Sequence, residues 1–388
     1  MDKPTEGKAK LRLRPLALAG VAGLIALSQA NVTSAAVQSP STTVQSAQAG
    51  ASGVHGARVR TAQHSMPAST MAQRALESRI RQLGSDFAGD VGIAVRDVQT
   101  GWTTAFDGNT FFPQQSVSKF WVALTALDRA DRGLLDMDQS VTLTRSDLTL
   151  FHQPIAAQVG SGGYTTTLSA LMFRAMTQSD NTCNDFVLRR AGGPEAVRSM
   201  LQAKGLEGIR FGPGERLLQT RLAGLDGWRP EYQGAGFYAA RSRLPMAVRS
   251  AAFERYVADP IDGATPIGIV DALARLQQGS LLSQRSTQRL LSIMSQTRTG
   301  AQRLKGGLAP GWRLAHKTGT GQVLGGTQTG YNDIGIVSAP DGRHYAVAVM
   351  IRRTGAPLGQ RMALMQNTVR AVVNYHGGGA GGGSVAAR

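Results

Sequence analysis

Apolar and polar positions divide the chain into stretches of different period. Over 71–84, MAQRALESRIRQLG, apolar residues recur at three and four, the spacing of one helix face. The next stretch, VGIAVRDVQTGWTTAFDGN, alternates on either side of a turn and predicts two strands. The far end repeats these elements in reverse. YNDIGIVSAPDGRHYAVAVMIRR reads as a hairpin around a Pro-Asp-Gly turn, and MALMQNTVRAVVNY reads as a helix. Between them, roughly 116–300, helical spacing dominates, and DALARLQQG closes on a glycine as helices commonly do. Strands at both ends with helices between predict an α+β fold. One antiparallel sheet is built from both chain ends, a mostly helical lobe is inserted between them, and a ligand cleft separates the two.

Outside this unit, 69–376, the periodicity lapses. A basic stretch, MDKPTEGKAKLRLRP, precedes an apolar run, LALAGVAGLIALSQA, that ends in small residues. This predicts a signal peptide over 1–30, with cleavage after Ala30 or as late as Ala35 or Ala36. A retained anchor is the alternative, disfavoured by the shortness and Gly/Ala content of the run. No Arg-Arg pair precedes it and no Cys follows it, which argues against a twin-arginine signal or a lipid anchor. Residues 31–68 are Ser, Thr, Ala, Gln and Gly with little else and read as a flexible linker. The Gly-rich end, 377–388, reads as a flexible tail. The expectation is a secreted or periplasmic protein with no stable membrane insertion after cleavage, working as a monomer.

Charge and cysteine content narrow the chemistry. The formal net charge is +17; residues 1–30 hold five basic and two acidic residues, leaving about +14 after cleavage. The arginines are scattered, with no basic run interleaved with aromatics, so no nucleic-acid partner is expected. Cys183 is the only cysteine, which excludes an internal disulfide and reads as a small buried hydrophobe. The six histidines are isolated, without the spacing of a metal site, so no metal and no cofactor are expected.

Lysine is scarce: 7 of the 42 basic residues, the other 35 being arginine. Lys119 nevertheless follows Ser116 by three positions at the start of a predicted helix, which puts both side chains on one face. A serine needs a base to become a nucleophile, and a lysine held dry can lose its proton where arginine cannot. Alone, Ser-x-x-Lys fits a capping serine and an exposed lysine equally well. Two further tripeptides change this. Ser179-Asp180-Asn181 stands before an apolar helix and Lys317-Thr318-Gly319 before the last hairpin. The first also fits a helix cap and the second a polar loop. All three in this order arise by composition alone in about one chain in a thousand.

These motifs resemble those of the serine β-lactamases and penicillin-binding proteins, and their order and spacing look like class A β-lactamases over about 70–376. The resemblance implies that Ser116 attacks the lactam carbonyl to form an acyl-enzyme and that Lys119 takes or relays its proton. Ser179 passes a proton to the leaving nitrogen, and Lys317 tunes Ser179 and positions the substrate carboxylate. The expected substrate-binding set is Asn181, Thr318, Gly319, Thr320 and Gln219, and the backbone N–H groups of Ser116 and Thr320 form the oxyanion hole. Family members that hydrolyse the acyl-enzyme carry a glutamate after the Ser-Asp-Asn motif. Glu215 fits by its distance from Ser179 and by Leu218 in a Glu-x-x-Leu pattern. Glu231, two residues after Arg229, is the second candidate.

Departures from the family pattern are explicit. Gln219 replaces the usual Asn and reaches further. Pro213 replaces the Arg that commonly precedes the glutamate by two, which puts the usual salt bridge of this loop in doubt. Between Glu215 and Lys317 the chain is longer than the family pattern, and about 222–256 reads as an inserted, added helix. It could pad the core, edge the cleft or form an oligomer contact. Phe151 and His152 fall near an expected aromatic substrate contact, or in the core. The strand after Lys-Thr-Gly has no Arg to support the carboxylate site, leaving Thr327 and Thr329 as candidates to line it. The function implied is hydrolysis of β-lactams, with Glu215 activating the deacylating water. The alternatives are a slowly deacylating DD-peptidase-like or esterase-like relative and a noncatalytic β-lactam or peptidoglycan sensor.

Overall fold

A computed structural model describes residues 70–380, with side chains to 378. The predicted signal peptide, all of the linker and the last eight residues lie outside the described residues.

The main sheet is antiparallel and draws on both ends of the chain. Its order runs Thr103–Phe106, Asp90–Asp97, His344–Thr354, Thr327–Ser338 and Arg313–Thr320, with the short strand Val323–Leu324 also paired to Thr327–Ser338. Side-chain alternation divides the sheet between two cores. Val91, Ile93, Val95, Val347, Val349 and Ile351 point to a core shared with the helices Met71–Ser85 and Leu358–Ala380. Ala94, Ala346, Ala348 and Met350 point to the larger core under the helical lobe. The small residues on that face leave room for the helix Pro266–Gln277, which lies against the sheet. A strand buried on both faces reads as a nearly continuous apolar run, as YAVAVMI does.

The lobe is built around the helix Lys119–Asp131, in which Lys119 to Leu127 are all buried. Such a helix has no polar face to give, so its one lysine is buried with the rest. Its entry turn is tied to the sheet by Asn332, whose Nδ2 donates to the carbonyls of Pro113 (2.7 Å) and Gln114 (3.1 Å).

Two expectations are corrected. The segment about 222–256 is not one added helix but two, Ala235–Ser242 and Met246–Ala258, after a short 3-10 turn, Pro230–Tyr232. Pro245 separates them, because the residue before a proline is biased away from the helical region. Phe253, Tyr256 and Val257 pack on Leu218 and Leu222, while Phe237 packs with Leu150 and Leu225. The last helix also runs on to Ala380, four residues into the predicted tail. Extending an established helix is far easier than starting one. Among the described residues, no helix is long and apolar enough to cross a membrane.

Candidate active site

Ser116 sits in a 3-10 turn, Gln115–Ser118, that leads into the central helix rather than in the helix itself. Three residues per turn align positions i and i+3. Lys119 Nζ accordingly donates to Ser116 Oγ at 2.8 Å. The residue before the serine, Gln115, has φ 53°, a left-handed conformation that is rare without glycine.

Lys119 Nζ also donates to Glu215 Oε1. Glu215 is the first residue of the helix Glu215–Leu222, whose N-cap, Gly214, takes φ 93°. Asp185 holds that end: its carboxylate accepts from the backbone N–H groups of Glu215 (3.0 Å) and Arg216 (3.3 Å). Burial, followed by the neighbouring Glu215 charge, raises the Asp185 carboxyl. One helical turn on, Gln219 Nε2 donates to Glu215 Oε2 at 3.2 Å. Glu231 is exposed in the turn Pro230–Tyr232 and does not line the cleft.

Ser179 has φ 60° and precedes the helix Asn181–Arg190. Asp180 caps that helix, accepting from Cys183 N–H at 2.9 Å and, across to another loop, from Ile155 N–H at 2.7 Å. The serine before the cap is thereby turned toward the sheet, where Lys317 Nζ donates to its Oγ at 3.0 Å. Lys317 is wholly buried on the strand Arg313–Thr320. Burial first, then the cation of Lys119, pushes its ammonium well below the usual lysine range.

These groups border one cavity of about 550 Å³ between sheet and lobe. Ser116, Ser179, Asn181, Glu215, Gln219, Thr318 and Thr320 line it, with both lysines behind them. Gly319 does not line it: a side chain there would run into the Gln114 carbonyl, so the glycine serves close approach of strand and turn. Thr327 and Thr329 are also away from the cavity, and Thr329 spends its hydroxyl on the Arg352 carbonyl at 2.9 Å. Phe151 and His152 do line it. Phe151 stacks edge-on against Phe237 of the extra segment, with centroids 4.7 Å apart. From the same segment, Arg241 reaches the cavity mouth and donates to the Val323 carbonyl at 2.9 Å.

A residue that sequence reasoning missed supplies the positive charge that the strand lacks. Arg303 reaches the cavity from the segment before the Lys-Thr-Gly strand. Its guanidinium donates to the carbonyls of Gly319 (3.0 Å) and Asn332 (2.6 Å) and to Thr320 Oγ1 (2.6 Å), and lies 3.8 Å from the centre of the Tyr331 ring. No local pattern marks it, because it is brought in from fourteen residues upstream of Lys317. Among the described residues, no group of three His, Cys, Asp or Glu side chains could hold a metal ion.

The arrangement joins a hydroxyl, an amine and a carboxylate through one nitrogen, with a second serine–lysine pair across the cleft. It can move protons to and from a group attacked by Ser116.

Comparison with known proteins gives one answer. The model of the Beta-lactamase enzyme family matches residues 75–376. Beta-lactamase VEB-1 of Pseudomonas aeruginosa is 25% identical over 286 residues, covering 74% of this chain and 85% of its own. Extended-spectrum beta-lactamase PER-1 of the same organism is 28% identical over 242 residues, 62% of this chain and 68% of its own. Among solved structures, a beta-lactamase from Chitinophaga pinensis DSM 2588 aligns with TM-score 0.63 and 26% identity, covering 76% of this chain and 97% of that one.

Proposed function

Because the chain belongs to the class A serine β-lactamase family and is a hydrolase of that kind, we propose that it opens the β-lactam amide through a Ser116 acyl-enzyme, released by water that Glu215 activates. In acylation, Lys119 gives a proton to Glu215 and takes the hydroxyl proton of Ser116, whose oxygen bonds to the lactam carbonyl carbon. The negative oxygen is held by the backbone N–H groups of Ser116 and Thr320. When the carbon–nitrogen bond breaks, Ser179, its oxygen held by Lys317, protonates the leaving nitrogen and is resupplied from Lys119, which takes back the proton lent to Glu215. In deacylation Glu215, ionised again, takes a proton from water while the water oxygen attacks the ester, and Ser116 leaves with a proton returned through Lys119. Asn181 contacts the substrate side-chain amide and Gln219 the water. Thr318, Thr320 and Arg303 form the wall for the substrate carboxylate, with the Lys317 charge behind it.

The observation that carries this reading is the single Lys119 nitrogen bonded to both Ser116 Oγ and Glu215. A noncatalytic sensor has no use for a base on its serine. A slowly deacylating relative has no use for a carboxylate buried beside it with a glutamine amide on its other oxygen. Export directed by residues 1–30 and action as a monomer belong to the same proposal. The test is loss of the lactam absorbance of a penicillin and a cephalosporin with purified protein. Many turnovers per molecule support hydrolysis, whereas one turnover followed by a stop would make the protein a penicillin-binding relative.

A further inference from the structure

The hydrogen bonds around Glu215 continue beyond Gln219 into the extra segment. Gln219 Nε2, besides its bond to Glu215, donates to Gln115 Oε1 at 2.9 Å. Gln115 Nε2 donates to Tyr256 OH at 2.5 Å, and Tyr256 OH donates to Asp262 Oδ1 at 2.8 Å. The second Asp262 oxygen accepts from the Gln115 backbone N–H at 2.8 Å. All five side chains are buried.

The far end of this chain sets the direction of the Tyr256 and Gln115 bonds, while Gln322 Nε2, donating to Gln219 Oε1, holds the Gln219 amide from its other side. Both Asp262 oxygens accept, from Tyr256 OH and from the Gln115 backbone N–H, and although burial lifts the carboxyl to about 6 it is mostly ionised at neutral pH. Burial also raises the Tyr256 phenol, which therefore keeps its proton and donates it to Asp262. The phenol oxygen then accepts from the Gln115 amide nitrogen, which turns the Gln115 carbonyl toward Gln219. Gln219 can answer only with its own nitrogen, whose second hydrogen goes to Glu215. Without Tyr256, the Gln115 amide can turn over and present its nitrogen to Gln219. The two amide nitrogens would then oppose each other, and Gln219, whose carbonyl oxygen accepts from Gln322 Nε2 at 3.2 Å, must either swing its nitrogen off Glu215 or turn at the cost of that bond.

We propose that Tyr256 is a positioning residue for deacylation, orienting the amides of Gln115 and Gln219 so that an N–H faces Glu215. The proposal rests on the reading of Glu215 as the deacylation base. It gives the helix Met246–Ala258 a role at the site. It also supplies a closure for this loop, in which Pro213 cannot make the usual salt bridge.

The test is pre-steady-state mass spectrometry with a penicillin, timing adduct formation and loss in wild type, Tyr256→Phe, Gln115→Met, their double variant and Glu215→Gln. Tyr256→Phe is expected to slow deacylation about tenfold, a small part of what a general base contributes, with acylation within about twofold of wild type. In steady state, kcat and KM then fall together and kcat/KM holds. Partial unfolding cannot produce this split, because it scales both steps alike. Gln115→Met is expected to give the same split, and Tyr256→Phe to add nothing in its background. Equal slowing of both steps, no slowing, or additive effects in the double variant would overturn the proposal. If Tyr256→Phe does not fold, a normal deacylation rate in Gln115→Met overturns it instead. Deacylation at wild-type speed in Glu215→Gln would remove the reading beneath it, whereas a stalled Glu215→Gln with an unaffected Tyr256→Phe would remove only this proposal.

Discussion

Replacing Arg303 by lysine keeps the charge and removes the fork. Three acceptors now share this guanidinium: the carbonyls of Gly319 and Asn332 and Thr320 Oγ1, at 2.6–3.0 Å. A lysine ammonium on its straight stem can serve one of them and cannot stack on Tyr331 as the planar group does. Asn332 and Gly319 are buried, so their carbonyls have no water to replace the lost donors. A hydrogen bond from a charged donor contributes roughly 1.5–3 kcal/mol, and the remaining ammonium recovers part of it, so a loss of about 2–4 kcal/mol is expected. For the 311 residues from 70 to 380, the unfolding entropy is roughly 0.65 kcal/mol/K, which makes each kcal/mol worth about 1.5 °C. Calorimetry should therefore find Tm lower by about 3–6 °C. In penicillin hydrolysis, KM should rise about tenfold as the carboxylate wall loosens, while kcat changes by less than about threefold. An unchanged Tm would refute the argument that the fork braces the strand. A fall in kcat at constant KM would refute the placement of Arg303 in the substrate wall.

Two more outcomes follow from buried titratable groups. In the proposed mechanism Lys317 must be an ammonium to favour the substrate carboxylate, and its pKa is depressed by burial and by Lys119. The free enzyme should therefore lose kcat/KM as pH rises through a value well below 10.5. Lys317→Arg, which stays charged, should abolish that alkaline limb; a limb unchanged in the variant would assign it elsewhere. The Cys183 thiol is raised by burial and by the Asp180 carboxylate. A thiol reagent should therefore find no reactive group in the native protein and one after denaturation, and rapid native labelling would contradict the burial.

Legibility in the sequence followed the range of the interactions. The sheet built from both chain ends could be read because strand alternation is local and both hairpins are long. Ser116, Lys119, Ser179 and Lys317 could be read because each motif is complete within four residues. The preference for Glu215 over Glu231 came from spacing to Ser179 and from Leu218, and the fold brings Glu215 to Lys119 while leaving Glu231 exposed. Arg303 was invisible because it stands outside any strand and its partners lie on two of them. The bond from Gln115 to Tyr256 spans 141 positions, and neither residue has a local reason to be notable. Gly319 was placed with the substrate by its motif, although its space is taken by the Gln114 carbonyl. The insertion could be read as helical, but its contact with the cleft through Phe237 and Arg241 needed the tertiary fold.

The central claim is that Glu215 activates the water that frees Ser116. Time-resolved intact-protein mass spectrometry after mixing with a penicillin tests it, comparing wild type, Glu215→Gln and Glu231→Gln. The expected result is an adduct that passes within the dead time or within seconds in wild type and Glu231→Gln but persists in Glu215→Gln. An adduct that turns over at the wild-type rate in Glu215→Gln, or that persists only in Glu231→Gln, would contradict it.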